Sequence, residues 1–317
     1  MPIVPHTAGR SGAASTVVIA AHAMVAARIS EIPSLRSGGW PASAPPLPPR
    51  FLRHADEQTV VGMHAVLAAI ASLPERPALD THAVIAASCQ AGRFGGAQAL
   101  VQASTGGGVA VSTHVIPQCS LHSPAGAVSV GLGMHGPNIG VSGGPDALSE
   151  GMLAAFSWLQ QPADAGSDTA WLIITGWDDE PSLDAAGTPT NDPICRAVAV
   201  ALARPSSAGL ADCGTSLPEQ DTTTADPGNP RRFHRSATWK MVMDDFGQLA
   251  ADERLTLTLD PHDGMAVSPS ADSLRRFGES LAEHARAGMA ATWSHRFPWG
   301  GRVQLAVAAT ARRREAA

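Results

Sequence analysis

Short apolar runs recur along the chain, and the spacing within each run predicts its secondary structure. Continuous runs are typical of strands buried on both faces of a sheet. They span residues 16–21, 81–88, 169–177 and 195–203. Other stretches carry apolar residues at helical spacing, or small residues, and these predict helices. The helices cover residues 55–73, 92–104, 122–133, 147–159 and 270–287. Strands alternating with helices predict an α/β layered fold.

Two segments interrupt this pattern. Residues 37–50, SGGWPASAPPLPPR, are too rich in proline for regular secondary structure. Residues 205–230 are rich in Ser, Thr, Asp, Gly and Pro, which predicts a flexible linker or a long surface loop. Shorter strands complete the prediction, at residues 139–142, 255–259 and 302–309.

Composition narrows the class of protein. The chain has 317 residues, 44% of them hydrophobic, which is enough for a substantial core. Its formal net charge is −6 and its single lysine is Lys240, so we expect no basic surface for nucleic acid. No apolar stretch reaches the ~20 residues of a membrane helix. The start of the chain faintly resembles a signal peptide, but His22 interrupts the apolar run, which favours a buried first strand.

The cysteines give little sign of a metal site or a disulfide framework. They are widely separated, with no CxxC pair, and this pattern fits a reducing cytoplasm best. The four are Cys89, Cys119, Cys195 and Cys213.

The stretch GPNIGVSGGPDALSEG, residues 136–151, predicts a tight turn, a strand, a sharp elbow and a helix. The free N–H groups and dipole of a helix N-terminus favour negative charge, so such elbows often carry a nucleophile. A cysteine there has a lowered pKa, and its own N–H helps to hold an oxyanion. Here the elbow carries Pro145 and Asp146 instead. Pro145 suits the first helical position, but it has neither a nucleophilic side-chain atom nor an N–H.

These residues resemble a known family. The stretch PQCSLHSPAGAVSVGLGMHGPNIGVSGGPDALSEGMLAAFSWL, residues 117–159, is similar to the core of the β-ketoacyl synthases, condensing enzymes of the thiolase-like superfamily. In that family the elbow carries the acylated cysteine, and counting from Gly136 puts that position at Pro145. The stretch RFPWGGRVQLAVA, residues 296–308, is similar to the family's glycine-rich turn and closing strand, so the resemblance places Trp299 where a gating aromatic lies.

The departures from this family concern the catalytic residues. Active members use two C-terminal histidines in defined motifs. His262 and His295 stand in that half, but their neighbours match neither motif. The resemblance therefore implies a non-catalytic chain-length factor of the aryl polyene or type II polyketide kind, which pairs with an active ketosynthase. It also implies a thiolase-like fold with a ketosynthase N-terminal-like domain over residues 1–204, the linker 205–230, and an abbreviated C-terminal lobe over residues 231–317.

On this hypothesis residues 115–124 lie at a subunit interface and reach towards the partner's acyl tunnel. The candidates for limiting chain length are Gln118, Cys119, Leu121 and His122, although ordinary packing explains each of them equally well. The partners would be an active ketosynthase or a second copy of the chain, together with an acyl carrier protein. Neither a cofactor nor a metal is implied.

Two alternatives remain open at this point. Cys89 follows an apolar strand and precedes a glycine-rich turn, as the nucleophile of a stand-alone acyltransferase or thioester hydrolase does. The second alternative is a homodimeric scaffold on which a carrier protein docks. The acidic residues Asp178, Asp179 and Glu180 end a predicted strand, and a solvated turn explains them better than a divalent cation. The segment STGGG, residues 104–108, lacks the lysine and spacing of a phosphate-binding loop.

Overall fold

A computed structural model describes residues 15–141, 143–161, 168–204, 253–260, 273–287, 293–296 and 302–309. The predicted linker, residues 205–230, lies outside the described residues, as do His262 and Trp299.

Within the described residues eight strands form one mixed sheet. The strands are β1 (Ser15–Arg28), β2 (Ala83–Ser88), β3 (Asn138–Val141), β4 (Thr169–Trp177), β5 (Ile194–Ala203), β6 (Glu253–Asp260), β7 (Trp293–Arg296) and β8 (Arg302–Ala309). Their order is β3-β2-β4-β5-β1-β6-β8-β7. Strand β2 pairs in parallel with β3 and β4, whereas the other neighbours are antiparallel. β3 and β7 are therefore the edge strands.

The described helices all lie between these strands along the chain. They are α1 (Ile32–Leu35), α2 (Glu57–Ala71), α3 (Arg93–Gly106), α4 (Val115–Gln118), α5 (Ser123–Leu132), α6 (Ala147–Leu159) and α7 (Ser273–Ala287). Asp56 caps α2 by accepting a hydrogen bond from the Thr59 N–H at 2.9 Å. Because α2 is buried over nearly its whole circumference, it is the central helix of one layer.

Two hydrophobic cores lie on opposite faces of the sheet. Side chains of a strand alternate between faces, so Val84 and Ala86 of β2 pack with α2 and α5. Ile85, between them, packs on the other face with residues of α6 and α7. This arrangement confirms the predicted α/β fold, in which helices surround a mixed sheet. Among the described residues, no helix combines the length and the apolarity that crossing a bilayer requires.

The strands that follow residue 252 extend the same sheet. β6 pairs antiparallel with the start of β1, from Ser15 opposite Leu259 to Ile19 opposite Leu255. β8 pairs with β6, and β7 with β8. The division of the chain into three parts stays a prediction, but the pairing of β1 with β6 joins residues 15–19 and 255–259 in one sheet.

The contact between α6 and the sheet depends on a glycine. A Cβ atom on Gly151 would lie 2.6 Å from the Ala87 Cβ and 3.1 Å from the Leu172 Cδ1, closer than ordinary packing allows. Gly151 therefore lets α6 approach β2 and β4 closely.

We predict that Gly151→Ala destabilises the fold by about 1–3 kcal/mol, because the added methyl group overpacks this contact. Gly96→Ala in α3 is the matched control, since a Cβ there meets nothing within 4 Å. That variant should be up to about 1 kcal/mol more stable than the parent, because alanine favours helix. Urea unfolding curves of the three chains measure both effects. Equal stability of the two variants would contradict the packing argument.

Candidate functional site

The elbow between β3 and α6 is held by backbone contacts. The Gln90 N–H donates to the Gly143 carbonyl at 3.0 Å, and the Ala147 N–H donates to the Gly144 carbonyl at 3.3 Å. Gly143 has a φ of 152°, which favours glycine. Gly140 of β3 packs directly against the Leu121 backbone, where a Cβ would clash. Two glycines thus shape the elbow: Gly140 allows a close backbone approach, and Gly143 adopts a φ that other residues disfavour.

Pro145 lies before the helix rather than at its first position. α6 begins at Ala147, and Asp146 is its N-cap residue. The sequence-based placement of Pro145 at the first helical position was therefore wrong, because the backbone N–H of Glu150 bonds to the Asp146 carbonyl and starts the helix there. Pro145 is exposed and brings neither a nucleophile nor an N–H to the elbow.

Asp146 does not cap the helix with its side chain. Its Oδ1 atom is buried and accepts no hydrogen bond from the part of the chain that the structure describes. A buried acceptor without a donor lowers the stability of the folded state. A nearby histidine, His295 of β7, has its pKa lowered by burial, and the charge of Asp146 opposes that shift.

His295 reaches the first turn of α6, although its sequence neighbours match no catalytic motif. Its Nε2 atom lies 3.1 Å from the Ser149 Oγ, within hydrogen-bond distance. Burial lowers the pKa of His295 more than Asp146 raises it, so the ring is neutral at neutral pH. No local sequence signal announces this pair, because 146 residues separate its members.

A serine hydrogen-bonded to a neutral histidine is the first requirement of an activated nucleophile. Access is the second, and here it fails. Ser149 is only 3% exposed, so an incoming thioester cannot reach its hydroxyl in this structure. The pair is therefore a packed structural contact at the mouth of the helix.

The four predicted interface residues fall into two groups. Gln118 and Cys119, at the end of α4, line a surface cleft of about 240 Å³. Leu121 and His122 lie outside that lining and are exposed. Leu121 is beside the elbow, since its Cδ2 would be 3.4 Å from a Cβ on Gly143. Of the four, Leu121 is thus the residue that the structure places at the elbow.

The cleft is polar. Beside Gln118 it contains Asp56 and the ion pair between Arg36 and Glu57, whose atoms are 2.7 Å apart. His54 and His114 at its rim stack with ring centroids 5.3 Å apart. Such a lining suits water or a hydrogen-bonding ligand better than an acyl chain.

Burial raises the pKa of Asp56 in this cleft to about 6. Hydrogen bonds from Thr59 oppose the rise, the charge of Glu57 adds to it, and Arg36 opposes it. Asp56 is therefore a buried carboxyl that is half-deprotonated at about pH 6, just below neutral pH.

Cys89 follows β2 and is half-buried. Its N–H donates to the Thr175 carbonyl at 2.8 Å, and its carbonyl accepts from the Gln58 amide at 2.8 Å. Burial raises the pKa of the Cys89 thiol, and no cation among the described residues counters this. The thiolate that a nucleophile needs is thus disfavoured, which weakens the hypothesis of an enzyme that uses Cys89.

Two of the three acidic residues after β4 form ion pairs. Asp178 accepts two hydrogen bonds from Arg196, at 2.6 and 2.7 Å, and Glu180 lies 2.9 Å from Arg93. Within the described ranges, no cluster of three or more His, Cys, Asp or Glu side chains has the arrangement of a metal site.

No family model matches the chain, and no curated protein matches it. Among solved structures, it is similar to the ishigamide ketosynthase/chain length factor, with 17% identity and a TM-score of 0.42. That match covers 60% of this chain and 62% of the other. A type II PKS acyl-carrier protein in complex with its ketosynthase matches at 13% identity, with the same coverage and TM-score.

A β-ketoacyl synthase from Burkholderia phymatum matches at 11% identity with a TM-score of 0.47, over 93% of this chain and 99% of that one. The chain thus spans about three fifths of the first two structures, 62% of each. The fold by itself defines an α/β protein. Among the described elbow residues 143–146, none has a nucleophilic side chain of the Ser, Thr or Cys kind.

We predict that the fold loses stability as pH rises through the pKa of Asp56. The folded chain binds this proton more tightly than the unfolded chain, whose pKa is near 3.8, so the stabilisation is present below about pH 4 and is lost by about pH 6. Asp56→Asn keeps an acceptor for the Thr59 N–H but removes the titration. Its stability relative to the parent should rise between about pH 4 and about pH 7 in thermal unfolding.

Asp179→Asn, which removes an exposed carboxyl, is the control for the Asp56 variant and should leave the pH dependence of the parent unchanged. A constant difference between the parent and Asp56→Asn at both pH values would refute the assignment.

We predict that Cys89 is slow to alkylate. Because the pKa of the Cys89 thiol is raised, iodoacetamide should alkylate Cys89 near pH 7 no faster than it alkylates free glutathione. The alkylation rate should climb steadily above pH 8. Peptide mass spectrometry reads the modified position. Selective, rapid labelling of Cys89 with a rate plateau below about pH 8 would instead favour the thiol enzyme.

Proposed function

We propose that the chain is a non-catalytic, chain-length-factor-like subunit of a β-ketoacyl synthase complex. It would pair with an active ketosynthase and shape the acyl tunnel of that partner. The observation that carries the proposal is Pro145 at the elbow, where the family resemblance expects the acylated cysteine. Aryl polyene or type II polyketide elongation is the class of pathway that the resemblance implies.

At position 145 of the elbow, both groups that condensation requires are missing. Condensation needs an attacking sulfur and an N–H that holds the oxyanion, and proline supplies neither. The histidine at the elbow, His295, is engaged with the buried Ser149. A partner that brings its own cysteine and histidines would supply the missing groups.

The pairing surface that we propose is the β3 edge of the sheet. β3 pairs with β2 on one side, and as the edge strand it leaves the backbone groups of its other side without a strand neighbour within the described residues. Exposed apolar side chains surround it: Ile139 of β3 is 36% exposed, and Val130 of the adjacent α5 is 74% exposed. A like subunit added at this edge would cover both.

This arrangement gives Leu121 a role. It lies beside the elbow and is 38% exposed, on the side of the chain that carries β3. A partner docked at β3 would bring its own acyl tunnel close to Leu121, which would then limit the length of the chain that grows on an acyl carrier protein.

Reconstitution tests the proposal. The partner ketosynthase should elongate an acyl chain with malonyl-carrier protein only when both proteins are present, and the two should co-purify. Full elongation by the ketosynthase without this chain would contradict the pairing role.

We predict that Leu121→Trp shortens the product of the pair by one or more extension units, because the larger ring fills space at the end of the tunnel. Leu153→Trp is the matched control, since that leucine on α6 is 40% exposed but does not lie in the proposed interface segment. Product lengths are read by mass spectrometry of the carrier-bound chains. Unchanged lengths with Leu121→Trp would favour a scaffold that shapes no tunnel.

A further inference from the structure

The mouth of α6, defined here by Asp146, Ser149 and His295, is closed by contacts within the chain. β7 is the outer edge strand, and its exposed residues Ser294 and Arg296 flank the half-buried His295. This alternation turns His295 inward, as the pleat of a strand requires. The ring then lies on the first turn of α6.

We infer that His295 is a latch that seals this mouth against an acyl chain. Its Nε2 shares a hydrogen bond with the Ser149 Oγ at 3.1 Å, and Ser149 keeps only 3% of its surface exposed. The two residues before Ser149 in α6, Ala147 and Leu148, are also buried, so the ring closes over a packed turn.

The strands beside β7 hold the latch in position. His295 pairs with Val303 of β8, which is fully buried, and β8 pairs along its whole length with β6. Since β6 pairs with β1, the position of the imidazole is tied to the central sheet. The C-terminal strands would thus hold the latch in place.

What the latch would do for the acyl chain rests on the proposed function. A subunit without a nucleophile gains nothing by admitting an acyl chain at its own elbow. If His295 closes that entrance, the growing chain is confined to the tunnel of the partner, and Leu121 contacts it from outside the elbow.

A buried reporter thiol tests the latch. Ser149→Cys is close in size, and alkylation of the introduced thiol is followed by peptide mass spectrometry, which separates it from the native cysteines. With His295 in place, the folded chain should react at least ~100-fold slower than the same chain in urea, as expected of a site that opens rarely. Adding His295→Gly should raise the folded-state rate at least ~10-fold, because the cover is removed.

Ser294→Gly on the same strand is the matched control. Ser294 is exposed and faces away from α6, so its removal should leave the reporter slow. Circular dichroism verifies that each variant folds. If His295→Gly fails to fold, the milder His295→Ala replaces it in the same comparison with Ser294→Gly.

Reactivity in the folded chain within about threefold of the unfolded chain would overturn the latch, as would a His295→Gly rate no higher than that of Ser294→Gly. Reconstitution with the ketosynthase separates the two claims. A reactive thiol in a chain that still restores elongation refutes the latch alone. A protected thiol in a chain that restores nothing refutes the proposed function alone.

Discussion

The close approach of α6 to the central sheet is the constraint on which the candidate site depends. Gly151 brings the helix against Ala87 and Leu172, and Gly140 brings β3 against the Leu121 backbone. These two contacts fix where the chain turns from strand to helix, and so what the elbow offers to a ligand. Pro145 stands at that turn, and it brings neither a nucleophile nor an N–H to the residue before the N-cap of α6.

Local patterns predicted most of the fold, because burial on both faces imposes continuous apolar runs. The run at residues 169–177 became β4 with the same bounds, and residues 195–203 differ from β5 by one residue. The first strand is longer than predicted, because β1 continues to Arg28 alongside β5. The short strand β7 was missed, since its four residues carry no alternating apolar signal.

The site was less predictable, because it depends on contacts distant in sequence. Asp146 is the N-cap residue of α6, so Pro145 lies outside the helix rather than at its first position. The contact between Ser149 and His295 joins β7 to α6, and residues of three helices and several loop segments line the cleft around Asp56. The spacing of residues along the chain does not predict such long-range contacts. The raised pKa of Cys89 likewise follows from burial that only the fold reveals.

The central claim is that this chain carries no acyl group of its own, and intact mass measurement tests it most directly. The purified chain is incubated with an acyl thioester carried on its acyl carrier protein, and its mass is then recorded. We expect an unchanged mass, because Pro145 cannot attack, Ser149 is covered and the Cys89 thiol is protonated. A stoichiometric acyl adduct on this chain, at Ser149 or Cys89, would contradict the account.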